Sequence, residues 1–265
     1  VIFQPAEEIA SGARWMIEDG ATNGLTHILG VHVYPDLSAG TIGIKVGSLT
    51  AAAGELKVEI KGKSGHGARP HEGIDAIWVS SKVISGIQEL ITRQLDPLDP
   101  VVITFGKING GSAFNVLAEK VNLIGTVRCT NLKLFRNIGN WLSKNISSLA
   151  NSCGADAKVI FREITPPVNN SFEINKVFRD SAIKLLGQEN VIELQKPSLG
   201  AEDFAEFLNE IPGAMFRLGV SGSNGCDPLH SSKFNPDEKA IAVGIKVITE
   251  SIVKLNNEIL NKVDK

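Results

Sequence analysis

The chain has 265 residues, of which 43% are hydrophobic and 21% are charged, and its formal net charge is −2. These values are typical of a soluble globular protein of one or two domains, and the lack of a basic excess argues against a nucleic-acid-binding protein. No uninterrupted apolar segment is long enough to cross a bilayer. Three widely spaced cysteines fit a reducing compartment, so we expect a cytoplasmic protein.

The first fifty residues predict a strand, a helix and a second strand. Val1 to Gln4 is apolar and predicts a buried strand, and because the sequence starts in the middle of this strand we expect a fragment of a larger domain. The apolar residues that follow have the spacing of one helix face, and this helix should end at Gly20. His27 to Pro35 predicts a buried strand that is stopped by the proline. The pattern favours an α/β fold with a mostly parallel sheet.

Residues 51–164 have a different sequence pattern. It predicts strands with alternating polar and apolar residues, separated by two amphipathic helices. Their order is β-α-β-β-α-β, which is typical of a ferredoxin-like α+β domain. Helix and strand patterns resume after the linker Pro166–Asn170. We therefore predict one α/β domain built from residues 1–50 and 165–265, with a smaller domain inserted over residues 51–164.

Two histidines and one glutamate lie where a ligand site is expected. His32 ends a predicted strand, Glu8 follows another strand, and His230 lies in a loop between a strand and the last helix. Open α/β sheets bind ligands at the carboxyl ends of their strands, and imidazole and carboxylate together suit zinc or manganese. The plainer interpretation is a satisfied core imidazole for His32 and a surface loop residue for His230.

The adjacent glutamates Glu7 and Glu8 also have two interpretations. Acidic residues in the first turn of a helix complement its dipole. Alternatively, because consecutive helical residues point about 100° apart, one carboxylate could bind a metal while its neighbour accepts a proton from water. His66 lies in a glycine-rich turn that leaves the backbone free to approach a ligand, or that only forms a bulge. Motifs of serine hydrolases, dinucleotide sites and structural zinc sites are absent.

Six blocks in one order resemble the M20 metallopeptidase family, and most closely its amidohydrolases of N-acyl amino acids, hippurate and indoleacetyl-amino acid conjugates. The blocks are FQPAEE, GVHVYPDLSAGTIG, GKSGHGARPHEGIDA, GGSAFNVLAEKVNLIGTVR, SLGAEDFAEFL and PLHSSKFNPDE. The family's further metal ligands, a cysteine and a Gly-His-Asp-x-His stretch, have no counterpart in this sequence.

The resemblance implies a role for seven residues. Glu7 would be the general base, and the metal ligands would be Glu8, His32 and His230. His66 would polarise the scissile carbonyl in the site of a partner subunit. Asn115 and Arg128 would bind substrate near that same place, and an arginine can pair with a substrate carboxylate through two parallel hydrogen bonds.

The implied activity is metal-dependent hydrolysis of the amide bond of N-acyl amino acids, with two divalent ions, zinc or manganese, in the full-length protein. The implied assembly is a homodimer formed through the inserted lid domain. A dipeptidase or an aminobenzoyl-glutamate-type hydrolase would use the same residues with another acyl pocket. The remaining alternative is an inactive fragment that acts only as a dimerising module.

Overall fold

The computed structural model describes the backbone of residues 1–263 and the side chains of residues 1–257. Within these residues the chain forms six α-helices, namely α1 (Gly12–Glu18), α2 (Ala76–Gln94), α3 (Leu132–Ser152), α4 (Phe172–Leu186), α5 (Phe207–Glu210) and α6 (Lys239–Val263). It also forms twelve strands, namely β1 (Ile28–Ser38), β2 (Ile42–Ile44), β3 (Gly47–Ser48), β4 (Ala52–Lys61), β5 (Gly65–His66), β6 (Val101–Gly110), β7 (Val116–Leu117), β8 (Lys120–Cys129), β9 (Asp156–Thr165), β10 (Asn169–Asn170), β11 (Val191–Glu193) and β12 (Gly213–Ser221). None of the helices described is long and apolar enough to cross a membrane.

The chain divides into two compact units. Unit 1 contains Val1–Thr50, Val168–Ser198 and Glu202–Lys265, and unit 2 contains Ala51–Pro167 and Leu199–Ala201. The fold class is the predicted one, a mixed α/β protein with sheet cores covered by helices.

Unit 1 is built on a four-stranded sheet of order β1-β12-β2-β11. The pairs β1–β12 and β11–β2 are parallel, whereas β12 and β2 are antiparallel. Helices α4 and α6 pack on the buried strand β12, whose side chains are almost all buried because it lies in the interior of the sheet. The centre of this core is an edge-to-face pair of rings, Phe178 and Phe216, with centroids 5.0 Å apart.

Three expectations for the start of unit 1 are wrong. Val1 to Gln4 forms no strand, because its backbone pairs with no other strand among the described residues. The predicted helix begins as a 3₁₀ turn, Glu7–Ile9, and is interrupted before α1 because Ala10 is left-handed, with φ of 51°. Strand β1 does not stop at Pro35, since β1 is an edge strand and a missing N–H costs no ladder bond at a free edge.

Unit 2 has the predicted β-α-β-β-α-β order, and its antiparallel sheet has the order β6-β8-β4-β9. Alternate side chains of β4, among them Leu56, Val58 and Ile60, are buried, and they belong to one core with residues of α2 and α3. The pairing of β5 with β7 was not predicted. These two-residue strands are too short to produce a periodic signal.

Candidate metal centre

Glu7 and Glu8 lie in the 3₁₀ turn that precedes α1. The flanking residues Ala6 and Ala10 both have positive φ, at 56° and 51°. A left-handed backbone costs a residue with a side chain roughly 1–2 kcal/mol, so contacts elsewhere in the fold must hold this turn. Glu7 is half-buried and Glu8 is exposed, so the two neighbouring carboxylates have different environments.

His32 lies in β1, directly opposite Arg217 of β12. Its Nδ1 atom is 2.6 Å from the carbonyl oxygen of Val33. Because a carbonyl only accepts, Nδ1 carries the proton and Nε2 keeps a free lone pair. Burial, and then the charge of Arg217, lower the pKa of His32 and favour the neutral ring. Metal-ligating histidines are held in this same way by a backbone carbonyl, so His32 fits a metal ligand.

In the structure His230 lies beside Glu8, although the two residues are far apart in the sequence. Its Nδ1 atom is 3.5 Å from Oε1 of Glu8, and both side chains are about 70% exposed, at 71% and 73%. His230 has a left-handed backbone, with φ of 65°. The loop therefore holds the imidazole beside the carboxylate in an arrangement that a histidine would not adopt without tertiary support.

A second acidic pair, Glu202 and Asp203, completes the surroundings of Glu7. Candidate ligand oxygens of these three residues lie within 4.8 Å of one another, and this is the one such group of three among the described residues. Glu202 and Asp203 are only 5% and 1% exposed. The motif analysis assigned them no role, although a Glu-Asp pair before a helical turn repeats the pattern of Glu7 and Glu8.

Burial changes the acidity of these carboxyl groups. Burial, and then the charge of Glu7, raise the pKa of Glu202 to about 7, although the Phe204 N–H and Arg217 oppose the shift. Burial also raises the pKa of Glu7, followed by the charges of Asp203 and Glu8. A carboxyl group whose pKa is raised is a better proton acceptor near neutral pH, which is what a general base requires.

The three ligands expected from the sequence are only partly brought together. Glu8 and His230 are adjacent, and both affect the pKa of His32 through their charges. The Nε2 atom of His32, however, is 3.7 Å from Glu202, and the ligand atoms of Glu8, His32 and His230 do not all lie within 4.8 Å of one another in the described chain. Two imidazoles and several carboxylates nevertheless form a donor set that suits zinc or manganese.

In unit 2, the strand pair β5–β7 places His66 beside the loop of Asn115. The Gly67 N–H donates to the Asn115 carbonyl over 2.8 Å, and a Cβ atom on Gly67 would lie 3.0 Å from that oxygen. Glycine is therefore required for this close approach. The His66 ring is exposed and accepts a hydrogen bond from the Ala68 N–H over 3.1 Å.

Arg128 does not lie near His66 and Asn115 within one chain, contrary to expectation. Asn115 precedes the start of β8 at Lys120, whereas Arg128 is near the opposite end of that strand. Eight residues of extended strand span roughly 26 Å, at about 3.3 Å per residue. Arg128 instead donates hydrogen bonds to the Thr126 hydroxyl and to the Val127 carbonyl.

Comparison with known proteins identifies the family. Peptidase family M20/M25/M40 matches residues 1–254. The "Probable hydrolase sll0100" of Synechocystis is 45% identical over 250 residues, which cover 94% of this chain and 64% of that protein. The N-acetyl-L-cysteine deacetylase of Bacillus subtilis is 36% identical over 255 residues, which cover 96% of this chain and 60% of that protein.

A solved structure gives the same result. YxeP of Bacillus subtilis, described as a dinuclear metal-binding peptidase of the M20 family, has a TM-score of 0.82 and 31% identity, over 96% of this chain and 64% of that one. This chain thus spans between 60% and 64% of the length of these three proteins. With a family match over nearly its whole length, the chain belongs to peptidase family M20/M25/M40.

Proposed function

We propose that the protein is a metal-dependent amidohydrolase that cleaves the amide bond of N-acyl amino acids. The observation that carries the proposal is the arrangement of Glu7 next to Glu8, with His230 3.5 Å from Glu8 and with Nε2 of His32 free to bind a cation. Its similarity to an N-acetyl-L-cysteine deacetylase supports an N-acyl amino acid as the substrate.

Glu8, His32 and His230 would hold the cation. Two divalent ions, zinc or manganese, are proposed because the similar YxeP structure is described as dinuclear. When bound, such an ion acidifies a water molecule and polarises an amide carbonyl. The buried carboxylates Glu202 and Asp203 add negative charge close to Glu7 and favour a cation at this place.

Glu7 is the proposed general base. Its carboxylate takes a proton from the water whose oxygen bonds to the carbonyl carbon, and then returns that proton to the amide nitrogen as the C–N bond breaks. The products are a carboxylic acid and a free amine. Burial prepares Glu7 for this role because it raises the pKa of the carboxyl group.

His66 and Asn115 are proposed to polarise the carbonyl and bind substrate, and Arg128 to pair with the substrate carboxylate. Because Arg128 lies far from the other two within one chain, we propose that they serve two different sites of a homodimer. The exposed apolar residues Val102 and Ile108 on the edge strand β6 support pairing with a second copy through unit 2.

A dimerising module without activity is the second candidate, and the observation that favours it is that the ligand atoms of Glu8, His32 and His230 do not all lie within 4.8 Å of one another among the described residues. Titration of the purified protein with zinc or manganese, followed by an assay on N-acetyl amino acids and on dipeptides, separates the candidates. Release of amino acid from N-acetyl substrates supports the amidohydrolase, and faster cleavage of dipeptides supports a dipeptidase. A dimer that binds no metal and has no activity supports the module.

The sharpest test of the mechanism is Glu7→Gln. Loss of the base should lower kcat by about 10²–10⁴-fold, the usual contribution of general acid–base catalysis. Manganese affinity measured by calorimetry should change little, because the proposed ligands remain. Glu18→Gln, at an exposed position of α1, is the matched control and should leave both quantities unchanged. Turnover of Glu7→Gln close to that of the unaltered protein would refute the assignment of the base.

A further inference from the structure

The turn that carries Glu7 and Glu8 has little support of its own. Neither the 3₁₀ turn nor α1 has a side-chain hydrogen bond at its N-cap, and Ala6 and Ala10 both have a left-handed backbone. Residues 5–12 form a loop whose two ends, Pro5 and Gly12, approach each other closely, and this approach is called the neck of the loop. A Cβ atom on Gly12 would lie only 1.6 Å from the Pro5 carbonyl oxygen. The loop therefore needs an external contact that holds its two ends together.

Asp203 provides this contact from a distant part of the sequence. One carboxylate oxygen accepts a hydrogen bond from the side-chain amide of Gln4, and the other accepts from the Ala13 N–H over 3.1 Å. Gln4 and Ala13 are the residues immediately outside the neck on either side. A candidate ligand oxygen of Asp203 also lies within 4.8 Å of one of Glu7. Asp203 thus contacts both ends of the loop and lies close to the proposed base within it.

The chemistry of Asp203 suits this role. The residue is 1% exposed, so water competes little for its oxygens. Hydrogen bonds from neutral N–H groups to a carboxylate are about twice as strong as bonds between neutral groups. An alternative role for Asp203 would be simply to attach α1 to the 203–206 turn. The ion pair of Arg14 and Glu206, at 2.6 Å, already makes that attachment. That pair links the same two elements without touching the loop.

We propose that Asp203 is a positioning residue that clamps the loop of residues 5–12 and thereby orients the Glu7 base and the Glu8 ligand. The catalytic part of this inference rests on the proposed function, whereas the clamp itself rests only on the hydrogen bonds of Asp203 with Gln4 and Ala13. Loss of the clamp lets the loop open at its neck, so that the two carboxylates lose their fixed separation.

The first test is Asp203→Ala, which removes both acceptors, so that neither the Gln4 amide nor the Ala13 N–H keeps its partner. Amide hydrogen exchange of residues 6–13 should become about tenfold faster, since local opening sets exchange rates. In the metal-loaded protein, kcat should fall by about 100-fold with KM changed little, because misplacement of a reacting group by about 1 Å has such an effect.

The second test is rescue. The double variant of Asp203→Asn and Gln4→Glu restores the bond with reversed polarity: the new amide donates to the new carboxylate and still accepts from the Ala13 N–H, while the net charge is unchanged. Unlike Asp203→Ala, this double variant should show slow exchange and most of kcat. Glu206→Gln removes the charge that pairs with Arg14 and leaves the hydrogen bonds of Asp203 in place, so it is the control and should leave both readouts unchanged.

The outcomes separate the clamp from the proposed function. Exchange needs no activity, so it decides the clamp even if the protein neither binds manganese nor hydrolyses any substrate. If Asp203→Ala does not fold, as judged by circular dichroism, Gln4→Leu removes one of the two bonds at a half-buried position and should accelerate exchange in the same residues. Unchanged exchange in the single variant, or a folded double variant that remains as impaired as the single one, would overturn the proposal.

Discussion

Single carboxyl groups in unit 1 differ in chemistry because they differ in burial. Glu8 is largely exposed, Glu7 is half-buried, and Glu202 is almost inaccessible. The pKa of Glu202 rises to about 7, mainly through burial. The charged form of a buried carboxyl group loses hydration, and the negative charge of Glu7 adds to this cost.

Glu202 should therefore make the free energy of unfolding depend on pH. Its folded-state pKa lies above its ordinary value of 4.5, so its stabilising contribution is complete below that value and is lost as the pH rises through about 7. At pH 5, just above that ordinary value, Glu202→Gln should be more stable than the unaltered protein by less than about 1 kcal/mol. At pH 8 it should be more stable, by up to roughly 3 kcal/mol, since each pKa unit corresponds to about 1.4 kcal/mol.

The variant must be compared with the unaltered protein at each pH because His32 makes stability depend on pH in the opposite direction to Glu202. Its lowered pKa gives stability that is lost as the pH falls through its ordinary value of 6.5 and below. Urea unfolding in the presence of EDTA keeps cations away from the carboxylates. An equal difference in stability at pH 5 and pH 8 would contradict the raised pKa of Glu202.

Helix starts in this protein fall into two groups. Helix α3 begins after Asn131, whose side-chain oxygen accepts from the Leu134 N–H over 3.1 Å and whose amide donates to Asp99 over 2.9 Å. Helix α4 begins after Ser171, whose hydroxyl donates to the Glu173 carboxylate and accepts no hydrogen bond from a backbone N–H of the helix. The two residues form a matched pair of N-caps, one with and one without a bond to its helix.

Asn131→Ala should lower the free energy of unfolding by about 1–2 kcal/mol, because a buried N–H at the start of α3 loses its acceptor. Ser171→Ala should cost only a few tenths of a kcal/mol, since no backbone bond is lost. Urea titration followed by circular dichroism measures both. An equal loss in the free energy of unfolding for the two variants would mean that the hydrogen bond of Asn131 to the α3 backbone does not stabilise the protein.

The elements of unit 2 were predictable because their patterns are local. Strand β8 (Lys120–Cys129) and helix α2 (Ala76–Gln94) stand at their places in the predicted β-α-β-β-α-β order. Alternation and helical spacing depend on residues that are close in the sequence, because a strand or a helix buries one of its faces. The regular helix predicted over Glu7 and Glu8 is wrong because the backbone of Ala10 is left-handed, and the spacing of apolar residues carries no signal for such a break.

At the scale of the molecule, each unit has its own hydrophobic core. The core of unit 2 contains residues of β4, β8, α2 and α3, and all three proposed metal ligands lie in unit 1. The two functions proposed for the chain, metal binding and dimer formation, are therefore assigned to different units.

Residues 51–167 expressed alone should fold with a cooperative thermal transition, because the core of unit 2 lies within them. This segment should sediment as a dimer and should bind neither zinc nor manganese in calorimetry. Phe135→Ala, which removes a fully buried ring, should abolish or strongly lower the transition, since such changes cost about 3–5 kcal/mol. A segment that remains monomeric at all concentrations would contradict dimer formation through unit 2.

The sequence by itself determined the family blocks, the fold class and most elements of unit 2, and it selected Glu7, Glu8, His32 and His230 as candidates. Only the tertiary structure revealed that Glu202 and Asp203 join Glu7, and that Arg128 lies far from Asn115. The reason is physical. Periodicity and turn chemistry act between residues close in the chain, whereas desolvation, charge coupling and the clamp on the loop of residues 5–12 depend on groups that folding alone brings into contact.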